Sequence, residues 1–349
     1  MRNLYISTYP ARYRVDLCNV LAERMDCDIY HYVPVENEAD VLRGARFENH
    51  PLATGHFLGK VIPKDLEGLL KTKRPSYVFV QEFSLIALRL LQLRKKYGFK
   101  VVSLCDDSLD MIAGRDFGRM HRLARRIVPR LLDDVIVHSE AVREWYQVRF
   151  GKGLLMPILA DERRIRPALE QALPDSRRLR SDDKPVVAFV GRLVGLKNIP
   201  TLIRAFSPLR DRARLVIVGD GPERGRLESL APDAVFTGML TDADLLAWYN
   251  LIDILVLPSF QEAYGAVTGE ALMAGAKVVV SGRAGSSDLV REGENGYVVD
   301  PSDATGLTDR LSRLLETVEA GRTLTLRENL HPYRFADCAE RLLEGLRAL

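Results

Sequence analysis

The stretch DILVLPSFQEAYGAVTGEALMAGAKVVVS, residues 253–281, decides the fold class. It opens on a run that is apolar on both faces, Asp253 to Pro258, and closes on a second, Lys277 to Ser281. Between them lie a loop, SFQEAYG, and a helix that begins on small residues, AVTGEALMAGA. Strands apolar on both faces must be covered on both, which is the signature of a parallel sheet flanked by helices. Working outward, the same alternation fills the chain: NLYIST, DIYHYV, SYVFVQ, KVVSLC and DVIVH in the first half, then PVVAFV, RLVIVG, AVFTG and GYVVD around the opening stretch. The expected class is α/β, with two Rossmann-like doubly wound domains facing a central cleft.

A chain of 349 residues is long enough for two cores. The expected division is an N-terminal domain over 1–158, a linker over 159–184, a second Rossmann-like domain over 185–330 and a C-terminal helix, 331–349, packing back on the first domain. The linker assignment rests on a charged stretch that carries Pro167 and Pro174 and lacks strand pattern. The formal net charge of +3 is too mild for a dedicated nucleic-acid binder. Residues 1–160 carry 25 Lys and Arg against 19 Asp and Glu, and residues 161–349 carry 25 against 28, so the first half is expected to face something anionic. The cysteines Cys18, Cys27, Cys105 and Cys338 form no C-x-x-C pair and read as reduced, buried thiols of a cytoplasmic protein. No charged-then-apolar leader opens the chain and no apolar run approaches about 20 residues, so membrane contact is expected to be peripheral.

In open α/β sheets ligands bind beyond the carboxyl ends of the strands, which makes the residues just after each strand the candidates. PVVAFV is followed by Gly191, Arg192, Lys197 and Asn198. A forked and a point cation at one strand end suit a diphosphate, and two solvated surface cations are the alternative. RLVIVG continues into Gly219, Asp220 and Gly221, which is either a plain strand-to-helix turn or a turn beside a nucleotide; the glycine spacing does not fit a dinucleotide fingerprint. After AVFTG the backbone of Met239 and Leu240 is open to a flat ligand such as a nucleobase, or forms a hydrophobic turn.

In the opening stretch, the amides of Tyr264, Gly265 and Ala266 stand at a helix N-terminus, where unpaired N–H groups and the helix dipole favour an anion. Glu262 precedes them and Glu270 lies one turn inside the helix, roughly 6 Å along. A phosphate at the amides repels carboxylates, whereas a carboxylate accepts both hydrogens of a vicinal diol. The layout therefore fits a nucleoside diphosphate sugar, with the sugar diol at Glu262 and the ribose diol at Glu270. A solvated Glu262 and a helix-surface Glu270 are the plain alternative.

Taken in order, GRL…K, GDGP, F-x-G-x-L, EAYGAVTGEALMAG and LVREGENGYVVDP resemble the C-terminal domain of retaining glycosyltransferases of family 4, of the kind that builds bacterial surface polysaccharides. The resemblance runs from Val186 to Asp300. It implies the two-domain GT-B fold, a nucleotide-sugar donor that is UDP- or GDP-linked, no metal ion and no cofactor, and a saccharide or lipid-linked saccharide acceptor. It also implies that Arg192 and Lys197 hold the donor diphosphate, Glu262 the sugar and Glu270 the ribose, with retention through attack on the face from which the diphosphate leaves. The first half departs from the family. A glycine-rich loop is replaced by STYPARYRVDL, where Arg12 or Tyr13 is expected to fill the space. The histidine usual after a middle strand is replaced by Asp106 and Asp107 in VVSLCDDSLDM. Asp106 is expected near the acceptor hydroxyl; DDSLD otherwise reads as a carboxylate cluster or as helix-capping residues.

Residues 119–132, RMHRLARRIVPRLL, set Arg122, Arg125, Arg126 and Arg130 beside Leu123, Ile127 and Leu131. This is either a solvated helix face or a basic amphipathic helix that docks at an anionic membrane surface, peripheral on its inner face, to reach a lipid-linked acceptor. Two rival functions remain open, a sugar-nucleotide epimerase of the same fold and a non-catalytic nucleotide-binding protein.

Overall fold

The computed structural model describes residues 2–57, 59–113 and 119–349, with the backbone alone at 119–121. The chain divides into two compact units, one of Met1–Asp107, Met111–Leu159 and Ala336–Leu349, the other of Ser108–Asp110 and Ala160–Phe335.

In the first unit the strands are β1 (Asn3–Ser7), β2 (Cys27–His31), β3 (Asn49–Pro51), the hairpin β4 (Thr54–Phe57) and β5 (Lys60–Pro63), then β6 (Tyr77–Gln81), β7 (Lys100–Leu104), β8 (Asp134–Val137) and β9 (Leu154–Leu155). Apart from the hairpin they form one sheet in the order β3-β2-β1-β6-β7-β8-β9, all parallel. Leu4, Val78, Val101 and Val135 are fully buried at its centre. The covering helices start and stop where short-range chemistry dictates. Ser84 accepts from the Ala87 amide at the head of Leu85–Tyr97, and Gly98, at φ 73°, ends it. Neither β3 nor the hairpin carries the apolar run that marks a central strand, and both escape a reading based on such runs.

The second unit holds β10 (Val186–Val190), β11 (Arg214–Val218), β12 (Val235–Gly238), β13 (Ile252–Leu257), β14 (Lys277–Ser281) and β15 (Gly296–Val299). Their order is β12-β11-β10-β13-β14-β15, again parallel throughout. This is the doubly wound order, and strand order reverses between β10 and β13, just as it does between β1 and β6 in the first unit.

Residues 159–184, expected as a linker, instead carry two helices, Glu162–Gln171 and Leu173–Leu179. Ile165, Leu169 and Leu173 repeat every fourth residue and are buried, a stripe masked in the sequence by the charges around it. Asn250 donates to the Leu169 carbonyl at 2.8 Å and Arg166 to that of Met273 at 2.9 Å, fixing these helices to the second unit. The final helix, Phe335–Ala348, buries Leu342, Leu343 and Leu346 in the first unit, where Tyr77 Oη donates to the Leu346 carbonyl at 2.8 Å. All four cysteines are buried and unbridged. Among the described residues no helix is long and apolar enough to cross a membrane.

Candidate functional site

At the β10/β13 reversal two loops meet. The first leaves β10 through Gly191 and Arg192 and makes a single 3₁₀ turn, Gly195–Lys197. Asn198 then takes a left-handed conformation, φ 54°, and its amide donates to the carbonyls of Pro258 and Pro301 at 3.0 and 2.7 Å. Asn198 thereby ties the loop after β10 to the ends of β13 and β15. The Phe260 amide adds a bond to the Leu196 carbonyl at 2.9 Å.

This bracing sets Lys197 against Glu262. The Lys197 ammonium donates to Glu262 Oε2, with the two side chains 21% and 14% exposed. Arg192 is exposed and pairs with no carboxylate among the described residues. The Glu262 segment also bridges to Ala284 beside β14.

Gly265 follows at φ 93°, the N-cap of the helix Ala266–Met273. A Cβ there would stand 2.5 Å from Leu257 Cδ2 and 3.3 Å from Glu262 Cγ, so only glycine lets the chain turn beneath Glu262. Tyr264 is buried, and its carbonyl accepts from the Ser286 amide at 2.8 Å. Gly265 and Ala266 thus head a helix whose first N–H groups have no acceptor within the helix. Glu270, one turn on, accepts from the buried Tyr249 hydroxyl at 2.6 Å. Tyr249 lies in the helix Asp242–Leu251, and nothing in its sequence context marks it as the residue that orients Glu270.

Gly219 has a packing role of its own. A Cβ at this residue would lie 2.0 Å from the Gly191 carbonyl oxygen, so the turns after β10 and β11 are pressed together. Beyond β12, Met239 is 75% exposed and Leu240 half-buried. The second unit therefore gathers Gly191, Arg192, Lys197, Glu262, Tyr264, Gly265, Ala266 and Glu270 at adjacent strand ends, with Gly219 behind them and Met239 and Leu240 two strands away.

Asp106 lies in the first unit, among the ends of β1, β6, β7 and β8. Its Oδ1 accepts from Arg14 at 2.6 Å and His138 Nε2 at 2.9 Å, its Oδ2 from the Tyr13 hydroxyl at 2.9 Å. Burial pushes the carboxyl up, but the His138 hydrogen bond and the Arg14 charge outweigh it and hold the group well below the usual carboxylate range. Tyr13, itself exposed, donates to Asp106, and the neighbouring Arg14 is buried. His138 Nδ1 faces the Met156 carbonyl at 2.7 Å while Nε2 faces Asp106, so both ring nitrogens lie against oxygen atoms. Neither Arg14 nor His138 stands out in the sequence, although DVIVH does place a histidine at a strand end.

Glu82, Cys105 and Asp107 bring atoms of metal-ligand type within 4.8 Å of one another. Protein donors already engage this cluster. Arg125 forks Asp107, which also accepts from the Tyr146 hydroxyl at 2.9 Å. Glu82 accepts from the Asp106 amide at 2.9 Å, and burial, then Asp107 and Asp106, push its carboxyl up to about 7. The carboxylate Asp107 is thus charge-paired with an arginine. Arg125, grouped in the sequence with a basic surface, is turned inward with its side chain 12% exposed. Arg122, Arg126 and Arg130 remain exposed, beside exposed Leu123, Ile127 and Leu131.

Residues 184–317 match the family model described as glycosyl transferases group 1. A GDP-mannose-dependent alpha-mannosyltransferase of Mycolicibacterium smegmatis is 40% identical over 119 residues, 34% of this chain and 31% of that protein. A GDP-mannose-dependent alpha-(1-6)-phosphatidylinositol monomannoside mannosyltransferase of Mycobacterium tuberculosis is 30% identical over 215 residues, 55% of this chain and 56% of that protein. The matches thus span from about a third to about half the length of these curated relatives. Among solved structures, Anabaena HepE in complex with UDP superposes with a TM-score of 0.78 at 16% identity, covering 100% of both chains. Sucrose-phosphate synthase from Thermosynechococcus elongatus gives 0.75 at 19% identity, covering 100% of this chain and 99% of that one. The chain has the GT-B fold, and its second unit carries the match to the glycosyl transferases group 1 family.

Proposed function

We propose that the protein is a retaining, metal-independent glycosyltransferase that moves a sugar from a nucleoside diphosphate sugar to a saccharide or lipid-linked saccharide. The observation that carries this reading is the arrangement at the β10/β13 reversal: a lysine–glutamate pair, an exposed arginine, a helix N-terminus behind Gly265 and a second glutamate held by Tyr249. Arg192, Lys197 and the amides of Gly265 and Ala266 take the diphosphate and stabilise the charge that develops as it leaves. Glu262 accepts from the sugar and Glu270 from the ribose. For both members of the Lys197–Glu262 pair to reach ligand, the pair must open, with Lys197 turning to a phosphate oxygen. The acceptor attacks from the side on which the diphosphate departs, so the route needs no protein nucleophile and no cofactor.

GDP-mannose in the names of the relatives and UDP in the neighbouring structure both support a nucleoside diphosphate donor. In the first unit, Asp106 is a positioning residue that fixes Tyr13, Arg14 and His138, and it is not a free base. The exposed Arg122, Arg126 and Arg130 stripe beside Leu123, Ile127 and Leu131 supports docking at an anionic membrane surface from the cytoplasmic side.

Release of nucleoside diphosphate from UDP- or GDP-sugars, followed with and without saccharide acceptors and in the presence of a chelator, tests the reading. Acceptor-dependent release with the anomeric configuration of the donor kept, read from proton couplings in the product, is expected. Conversion of the donor sugar without any acceptor would instead make the protein an epimerase. For the membrane, sedimentation with phosphatidylglycerol vesicles is expected at low salt and is expected to vanish in Arg122→Glu/Arg126→Glu; equal sedimentation of the variant would remove this helix from the contact.

A further inference from the structure

We propose that the first unit holds the hydrocarbon chain of a lipid-linked acceptor in an apolar trough between the hairpin β4–β5 and the head of the helix Leu85–Tyr97. This rests on the glycosyltransferase reading and names the class of its acceptor. The trough consists of two voids, of about 380 and about 530 Å³, which share Ile62, Leu85, Ile86 and Leu88 as a common wall. The smaller reaches inward to Glu82 and Arg125, and the larger runs outward to Phe57, Leu66 and Gln92. Each lies in the size range of small-molecule sites. Two voids that share an aliphatic wall of this extent give room for a hydrocarbon chain.

Apart from Lys60, the charged side chains that line the trough have partners within the protein. Asp65 caps the helix Leu66–Lys73 by accepting from the Gly68 amide at 3.0 Å. Glu67 accepts from Tyr97 at 2.8 Å, from Arg89 at 3.3 Å and from Lys96. Arg125 is forked onto Asp107. An occupant therefore meets aliphatic surface and protein-neutralised polar groups, which favours hydrocarbon over a sugar that would need hydroxyl partners. Lys60, exposed on the wall of the smaller void, has no carboxylate partner among the described residues and supplies a cation for an anionic head group.

The rim supports the same occupant. Phe57, Val61 and Leu88 are 55%, 37% and 39% exposed, an apolar patch of the kind that marks a site of contact. The trough also opens beside the helix Arg119–Leu131. Ala124 and Arg125 of that helix line the smaller void, while Leu123 and Ile127 are exposed on it.

The test titrates the full chain with octyl, decyl and dodecyl phosphate below their micellar concentrations, with inorganic phosphate as the head-group control. Affinity is expected to rise about fourfold per methylene, the equivalent of about 0.8 kcal/mol. Val61→Asp/Leu88→Asp, which alters exposed side chains only, is expected to weaken dodecyl phosphate binding more than tenfold while leaving the thermal stabilisation by UDP- or GDP-sugars unchanged. Affinity that does not depend on chain length overturns the proposal, as does a dependence that survives in the double variant. Loss of phosphatidylglycerol vesicle binding in that variant, with dodecyl phosphate binding intact, makes the patch a bilayer contact and also refutes the trough. Chain-length-dependent binding by a protein that no nucleotide sugar stabilises overturns the glycosyltransferase reading and the assignment to an acceptor with it.

Discussion

Replacing Glu262 with alanine should change two measurements in opposite directions. The Lys197–Glu262 pair is only partly open to solvent, at 21% and 14% side-chain exposure. A hydrogen bond to a charged group contributes about 1.5–3 kcal/mol where buried, and an exposed ion pair about 0–1 kcal/mol, so this pair falls at about 1–2 kcal/mol. A diphosphate that recruits Lys197 must break it. Glu262→Ala removes that competition and is expected to tighten free UDP or GDP by roughly fivefold to thirtyfold, since about 1.4 kcal/mol is a factor of ten. Sugar transfer by the same variant should fall by orders of magnitude, because the carboxylate that accepts from the sugar is gone. Lys197→Ala should weaken both nucleoside diphosphate binding and turnover. Isothermal titration with UDP and GDP, alongside diphosphate-release kinetics, reads both quantities. A Glu262→Ala protein that binds the nucleoside diphosphate no more tightly than the parent would refute the idea that the pair opens for the donor.

Other outcomes follow from the same geometry. Gly265→Ala places a Cβ 2.5 Å from Leu257 at φ 93° and should cost more than about 1 kcal/mol in thermal unfolding, with donor binding reduced as Glu262 shifts. Asp106→Asn withdraws the ionised partner of Arg14 and His138, so it should lower the melting temperature as well as activity, and His138→Ala should do the same; an Asp106→Asn protein of unchanged stability would contradict the clamp. Glu82 has a folded pKa of about 7, above its unfolded value, so the folded state keeps a proton that the unfolded state releases. Its contribution is full at acid pH and is lost as pH rises through 7; Glu82→Gln should flatten this slope in denaturant titrations between pH 5 and 8.

The clustering of motifs at the β10/β13 strand ends was legible because these motifs follow buried strands that pair with one another. Periodicity identifies β10 and β13 as buried parallel strands, and the loops after them carry residues whose chemistry fits one kind of ligand. The pairing of Lys197 with Glu262 was not legible, because the motifs fix loop positions and leave side-chain rotamers open. In the first unit the decisive contacts join Asp106 to Arg14 across 92 residues and to His138 across 32, and no local pattern records a buried ion pair between loops. Arg125 was misplaced for a related reason. Helical spacing puts it one position from the basic stripe, and only Asp107 beneath it decides that it turns inward. The helices over 162–179 were hidden by composition, since an apolar residue at every fourth position is diluted by the charges between.

We propose that the β10/β13 strand ends bind a nucleoside diphosphate sugar without a metal ion. Thermal unfolding with a panel of UDP-, GDP- and ADP-sugars in the presence of a chelator tests it most directly. A UDP- or GDP-sugar is expected to raise the melting temperature, and Lys197→Ala and Glu270→Ala are each expected to abolish the rise while remaining folded. Stabilisation that appears only when a divalent cation is added, or that persists undiminished in both variants, would contradict it.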